Sequence, residues 1–185
     1  MRYKTQFLAA LLMAAASMLY IFPHHFHSAK VGLISASTAR QPLQLRIPAI
    51  ELDAHVESVT ITKDGSLDVP HDPADAAWFE KGPRPGEVGS AVIDGHSGWA
   101  DSIPAVFDKL YQLHIGDHIY VDDAAGHTTI FIIQKMRVYD SHADTSSIFT
   151  SHDGKAHLNL ITCSGAWDPH LQASADRLVV FAVKI

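Results

Sequence analysis

Residues 118–138 read HIYVDDAAGHTTIFIIQKMRV. His118 to Val121, and then Thr128 to Val138 around Ile130-Phe131-Ile132-Ile133, are short apolar segments rich in Val and Ile, and the chain turns between them near Ala124-Ala125-Gly126. The same grain runs outward in both directions. Upstream, Leu43 to Ile47 reads as the first strand. Pro48, Asp64-Gly65 and Pro70 punctuate the next stretch around a short strand at Leu67 to Val69, and Gly89 to Asp94 (GSAVID) is a strand ending at Gly95-His96. Downstream, His157 to Thr162 and Arg177 to Val183 are apolar strands bracketing a loop of roughly a dozen residues. Short strands divided by turn residues predict an all-β barrel or sandwich. Helix is confined to Ile103–Leu113, where Ile103, Val106, Phe107, Leu110 and Leu113 are near helical spacing with Ser102 as N-cap and Pro104 in the first turn, and to a single turn at Ser146 to Phe149.

Ahead of this domain lies a segment of another kind. Phe7 to Phe22 (FLAALLMAAASMLYIF) is an almost uninterrupted apolar run, preceded by Arg2 and Lys4 and followed by Pro23 and three histidines, His24, His25 and His27. It is an export signal, either cleaved or retained as a single-pass anchor. Ala14-Ala15-Ala16 has the look of a cleavage site but lies inside the run, with Met18-Leu19-Tyr20-Ile21-Phe22 after it, so the anchor reading is preferred. The positive residues stay in the cytoplasm and the domain is placed outside. The expected organisation is an N-terminal transmembrane segment at 1–23, a polar Ser/Ala-rich tether at 24–41 and one domain at 42–185. An apolar content of 47% and a charged content of 18% suit a packed domain, and a net charge of −6 with scattered basic residues offers no surface for nucleic acid.

Cys163 is the only cysteine. An exported domain with one thiol has no internal disulfide, and an unpaired thiol in an oxidising compartment is a liability that asks for a use. Cys163 closes the strand Leu160-Ile161-Thr162, and His96 follows the strand Gly89–Asp94, with Gly95 read as permitting a tight turn that aims the ring. Arg177 begins the last strand. If the two final strands pair antiparallel, Cys163 and Arg177 become neighbours. Attack on an amide carbon needs a thiolate, a proton donor for the leaving amine and a cation or donor for the oxyanion, which are the three functions cysteine, histidine and arginine supply.

Leu160-Ile161-Thr162-Cys163 resembles the TLxTC nucleophile motif of the sortase family, with Asn159 in place of its first Thr. Pro85 to His96 (PGEVGSAVIDGH) is similar to the PGxxGxxVxxGH stretch of that family, and Arg177-Leu178-Val179-Val180-Phe181-Ala182 to its terminal Arg-bearing strand. Ile47-Pro48-Ala49-Ile50 and Trp78 also occupy positions familiar from sortases, so the likeness spans Leu43 to Ile185. It implies the eight-stranded sortase β-barrel with one or two short helices. It also implies His96, Cys163 and Arg177 as catalytic trio, and a cysteine transpeptidase that cleaves secreted proteins at a C-terminal LPxTG-like sorting signal through a thioester. The acceptor would be an amine of the cell envelope, such as a peptidoglycan cross-bridge or stem. The compact form and the ITCSG sequence look most like class F or class E, then class D. No cofactor or metal is expected, since Asp122-Asp123, Asp140 and Asp153 serve equally as turn residues.

Other classes fit less well. L,D-transpeptidases place their cysteine in a Ser-x-Gly-Cys-x-Arg cluster, whereas here it follows Thr162 and no arginine lies two residues on. A non-catalytic tethered barrel leaves the thiol unexplained. A metal protein built on the 13 histidines lacks a ligand-spaced group.

Overall fold

The computed structural model describes residues 40–100, 103–140, 143–168 and 173–185. The expected anchor at 1–23, nearly all of the tether and the N-cap Ser102 lie outside them. Among the described residues, no helix is long and apolar enough to cross a membrane. Eight strands form a closed barrel: β1 (Pro42–Ile47), β2 (Leu52–Val59), β3 (Ala76–Phe79), β4 (Gly89–Gly95), β5 (His118–Asp123), β6 (Thr128–Asp140), β7 (Ala156–Asp168) and β8 (Ala173–Lys184). They neighbour one another in the order β1-β2-β3-β4-β7-β8-β6-β5, and β5 closes on β1. The pairs β2/β3 and β4/β7 are parallel and the rest antiparallel.

Strand alternation decides what faces inward. Leu45, Ile47, Trp78, Ile93, Phe131, Ile133, Leu158, Leu160 and Val180 fill the barrel and are almost wholly buried. Each such large side chain contributes roughly 1.5–3 kcal/mol of burial energy. Because side chains fill the interior, chemistry has to be carried on the outer face. That face holds a second, smaller core of Val92, Ile161, Val179 and Tyr139, covered by the one-turn helix α1 (Ser146–Phe149) through Ile148.

Two strands were not expected from the sequence. In β2, Leu52, Ala54 and Val56 point inward between exposed Asp53 and His55 and half-buried Glu57; β3 is the short AAWF segment, set by parallel pairing of Val56 with Ala76 and Val59 with Phe79. The strand expected at Leu67–Val69 is only an isolated bridge between Ile61 and Leu67 around the Asp64-Gly65 turn.

The helix expected over Ile103–Leu113 does not form. Its backbone bonds are spent on other partners: the Val106 N–H donates to the Pro73 carbonyl and the Phe107 N–H to the His96 carbonyl, while the Asp108 carboxylate accepts from the Gly98 and Ala105 N–H groups. Only a short 3-10 turn, Leu110–Gln112, remains. Of the five apolar residues at helical spacing, Phe107, Leu110 and Leu113 are buried in the main core, Val106 is half-buried against it and Ile103 is exposed.

The last two strands run further than expected. β7 continues past Cys163 and β8 begins before Arg177, so neither residue is at a strand end. The extension is possible because a register shift between Ser164 and Trp167 lets the hairpin continue past a bulge.

Candidate active site

β7 and β8 pair antiparallel with Cys163 opposite Arg177, as the sequence led us to expect. β4 runs parallel to β7 on its other side, and its last pair is Asp94 with Ile161. His96 follows two residues further on, just past the end of β4, and continuing the register sets it alongside Cys163. The three residues therefore form one row across adjacent strands, although 67 and 14 positions separate them in sequence (163 − 96 and 177 − 163). Alternation puts them on the outer face, since Ile93, Leu160 and Val180 point into the barrel and Val92, Ile161 and Val179 point out. On the far side of β8, Tyr139 pairs with Arg177 and bounds the row.

Local bonds lock this row. Thr162 is buried and its hydroxyl donates to the Gly95 carbonyl at 2.6 Å, while the Ser97 hydroxyl donates to the Cys163 carbonyl at 2.7 Å. The loop carrying His96 is thereby sewn to the strand carrying the thiol. The His96 Nε2–H donates to the Pro70 carbonyl at 2.8 Å. A carbonyl can only accept, so the proton is on Nε2, and the Nδ1 lone pair is free in the neutral ring. Trp99 stands edge-on to the imidazole, centroids 4.4 Å apart. The Arg177 Nη1 donates to the Ser174 and Asp176 carbonyls, both at 2.9 Å, which ties the guanidinium to its own hairpin.

Gly95 is needed for a reason other than the expected tight turn. Its φ is not in the left-handed region; instead a Cβ would stand 2.5 Å from Phe107 Cδ2 and 2.6 Å from Val106 Cγ1. The glycine lets the Val106–Phe107 segment close against the end of β4. The positive φ belongs to Gly165, two residues after the thiol, at +81°, where a Cβ would also lie 2.9 Å from Asp176 Oδ2. Cys163 is half-buried. One paired residue, Ser164, separates it from a bulge, a device that re-aims side chains beside active sites.

Sequence reasoning missed the supporting residues Pro70, Trp99 and Ser97. Ser97 directly follows the histidine, but nothing in its type marks it, and Pro70 acts through its carbonyl, which any residue has. Asn159, which departs from the sortase pattern, is buried and donates through Nδ2 to the Ile148 carbonyl at 2.6 Å, pinning α1 to the outer face. Among the described residues no group of His, Cys, Asp and Glu side chains is disposed to hold a metal. Asp122 is bound by Arg46 and Thr128, Asp123 accepts from turn N–H groups, and Asp153 accepts from His157, Ser151 and the Lys155 N–H. Two cavities of about 230 and 290 Å³ are lined by other residues than the row, which lies open along the face.

A family model for the sortase domain matches residues 45–185. Among solved structures the fold is similar to sortase C-1 from Actinomyces oris, at 22% identity and a TM-score of 0.61, over 77% of this chain and 72% of that one. It is similar also to a lid mutant of sortase A from Corynebacterium diphtheriae (22%, 0.61, 77% and 68%) and to a pilus-related sortase C of Group B Streptococcus (20%, 0.61, 80% and 68%). A comparison with curated proteins found no match. At these identities the structural likeness bears on the fold; the family model bears on membership.

Proposed function

This chain belongs to the sortase family of cysteine transpeptidases, and from that premise we propose that Cys163 is its nucleophile, His96 its proton carrier and Arg177 its oxyanion stabiliser. The observation that carries the reading is the pairing of Cys163 with Arg177 on β7 and β8, with His96 just past the end of β4, which runs parallel to β7. The Cys163 thiol gives its proton to His96 Nδ1, the thiolate adds to the carbonyl carbon of the scissile amide, and the displaced electron pair gathers on oxygen beside Arg177. Collapse breaks the C–N bond, the amine departs with a proton from His96, and a thioester remains. An incoming amine then attacks the thioester carbon, gives a proton back to His96 and expels the thiolate, leaving a new amide. With Nε2 held by Pro70, the proton moves at Nδ1.

The substrates in this reading are secreted proteins with a C-terminal LPxTG-like sorting signal, and the acceptor is an amine of the cell envelope such as a peptidoglycan cross-bridge or stem. An open row on a sheet face suits an extended peptide laid along it. The apolar run Phe7–Phe22 supports a single-pass membrane anchor with the domain outside, and the ITCSG sequence supports a class F or class E likeness. The test is cleavage of an LPxTG-like peptide. Cys163→Ala and His96→Ala should each keep the wild-type melting curve to within a few degrees and lose turnover; full turnover in a clean Cys163→Ala preparation would remove the reading.

A further inference from the structure

His96 is held by one peptide group, and that group is held in turn. The imidazole Nε2–H donates to the Pro70 carbonyl at 2.8 Å, and the N–H on the other side of the same peptide unit, that of His71, donates to Glu57 Oε1 at 2.6 Å. A peptide is planar and conjugated, with its C=O and N–H directed to opposite sides. Imidazole, peptide and carboxylate therefore stand in series, and the proton carrier of the reaction is joined through two hydrogen bonds to a charge on another strand.

Glu57 belongs to the outward set of β2, after Asp53 and His55, and lies opposite Ala77 of β3. Its side chain is 24% exposed. Its second oxygen, Oε2, meets the ring Nδ1 of exposed His71 at 3.1 Å, which leaves Oε1 to the backbone N–H. The segment that carries the peptide is fixed further along by other bonds. The Pro73 carbonyl accepts from the Val106 N–H at 2.8 Å, and Asp72 closes a turn by accepting the Ala74 N–H on its carboxylate and the Asp75 N–H on its carbonyl. Asp75 then stands 3.5 Å from His55 Nδ1. With these anchors the loop does not depend on the charge of Glu57 for its place.

We propose that Glu57 is a positioning residue for His96. By accepting the His71 N–H it polarises the Pro70 carbonyl, fixes the Nε2–H tautomer that leaves Nδ1 for the thiol proton, and stabilises the imidazolium that forms when Cys163 gives that proton up. This rests on the proposed role of His96. No proton crosses the peptide; the carboxylate acts through its charge and through two aligned bonds, each of which strengthens the other. A base oriented and charge-stabilised by a carboxylate is the logic of hydrolase triads, met here with a peptide group between the two.

The experiment compares wild type, Glu57→Gln and Glu57→Ala as full chains. The readouts are kcat and KM for an LPxTG-like peptide and, at neutral pH, the rate at which iodoacetamide alkylates Cys163, the only thiol, followed by intact mass. Gln keeps an oxygen for the His71 N–H and removes the charge, whereas Ala removes both; melting curves check the fold. Glu57→Gln should melt within a few degrees of wild type, lower kcat about three- to tenfold with little change in KM, and slow alkylation by a similar factor. That is the size of one charge acting through a hydrogen-bond chain in a partly exposed site. Glu57→Ala should lose more. Wild-type kcat and alkylation in Glu57→Gln would overturn the proposal, and beside an impaired Glu57→Ala would reduce Glu57 to a loop anchor. Normal kcat with raised KM would overturn it too, by making the loop part of peptide binding. His96→Ala and Cys163→Ala, run alongside, separate the two claims: full turnover in either removes the catalytic reading and this role with it, whereas inactivity of both beside a wild-type Glu57→Gln removes the role of Glu57 alone.

Discussion

Arg177 faces Cys163 across a strand pair, with one arm on its own hairpin and the other donors open to the outer face. Loss of one preorganised oxyanion donor typically costs a hundredfold to a thousandfold in rate, about 2.7–4 kcal/mol. Arg177→Ala should therefore lose at least that in kcat and in kcat/KM together, and Arg177→Lys, which keeps the charge but not the planar fork, should remain well below wild type. A variant with normal kcat and raised KM would make Arg177 a substrate-binding residue instead. At this scale the three residues of the row were legible because their types are rare in combination and two of them follow readable apolar runs. The supports were not. Pro70 acts through a carbonyl, which has no sequence signature. Gly95 shows the limit well, since a glycine before a histidine suggests a turn, and only the packed Val106–Phe107 segment reveals that space was the constraint.

Elements explain why the row is where it is. β7 bends at the bulge after Cys163, and Gly165 with φ +81° and Asp176 packed against it makes the bend possible. Gly165→Ala should destabilise the protein by about 1–3 kcal/mol, from the left-handed backbone and the close Asp176 contact. It should also lower kcat/KM by re-aiming the thiol. Urea unfolding and peptide cleavage measure the two effects, and a variant unchanged in both would show that the bulge does not aim the cysteine. Strands with long apolar runs, β5 to β8, were readable from composition, whereas β3 is four residues, two of them alanine, too short for its Trp78 and Phe79 to mark a strand alone, and it is set by the flanking β2 and β4. β2 alternates regularly, but Asp53, His55 and Glu57 make it resemble a polar loop between turns. The failed helix at 103–113 keeps Phe107, Leu110 and Leu113 buried on another backbone and leaves Ile103 exposed, because apolar spacing says nothing of where the N–H groups find acceptors.

For the molecule as a whole, the carboxylates with displaced pKa values set stability against pH. Arg46 and then Thr128 hold the Asp122 carboxyl below its ordinary range, and His157 and then the Lys155 N–H do so for Asp153. Their contribution is full above about pH 4 and is lost as pH falls through the depressed folded values. Asp94 acts in the other direction. With its folded pKa raised to about 7 by burial, the native state keeps a proton that the unfolded chain has released, so stability declines as pH rises between about 4 and 7. Melting temperatures measured from pH 4 to 8.5 should fall across that window in wild type, and Asp94→Asn should flatten the fall and melt higher at pH 8; identical curves would place the Asp94 carboxylate in better solvation than its neighbours suggest. The barrel itself, with its interior filled by Trp78, Phe131 and their neighbours, is the rigid frame that keeps three distant residues level. Whether that row does covalent chemistry is tested most directly by intact mass and peptide mapping after brief incubation with an LPxTG-like peptide and acid quench. The account requires a mass increase equal to the N-terminal acyl fragment, mapped to Cys163, discharged by hydroxylamine and absent in Cys163→Ala; cleavage that proceeds with no adduct in the wild type but equally well in Cys163→Ala would contradict it.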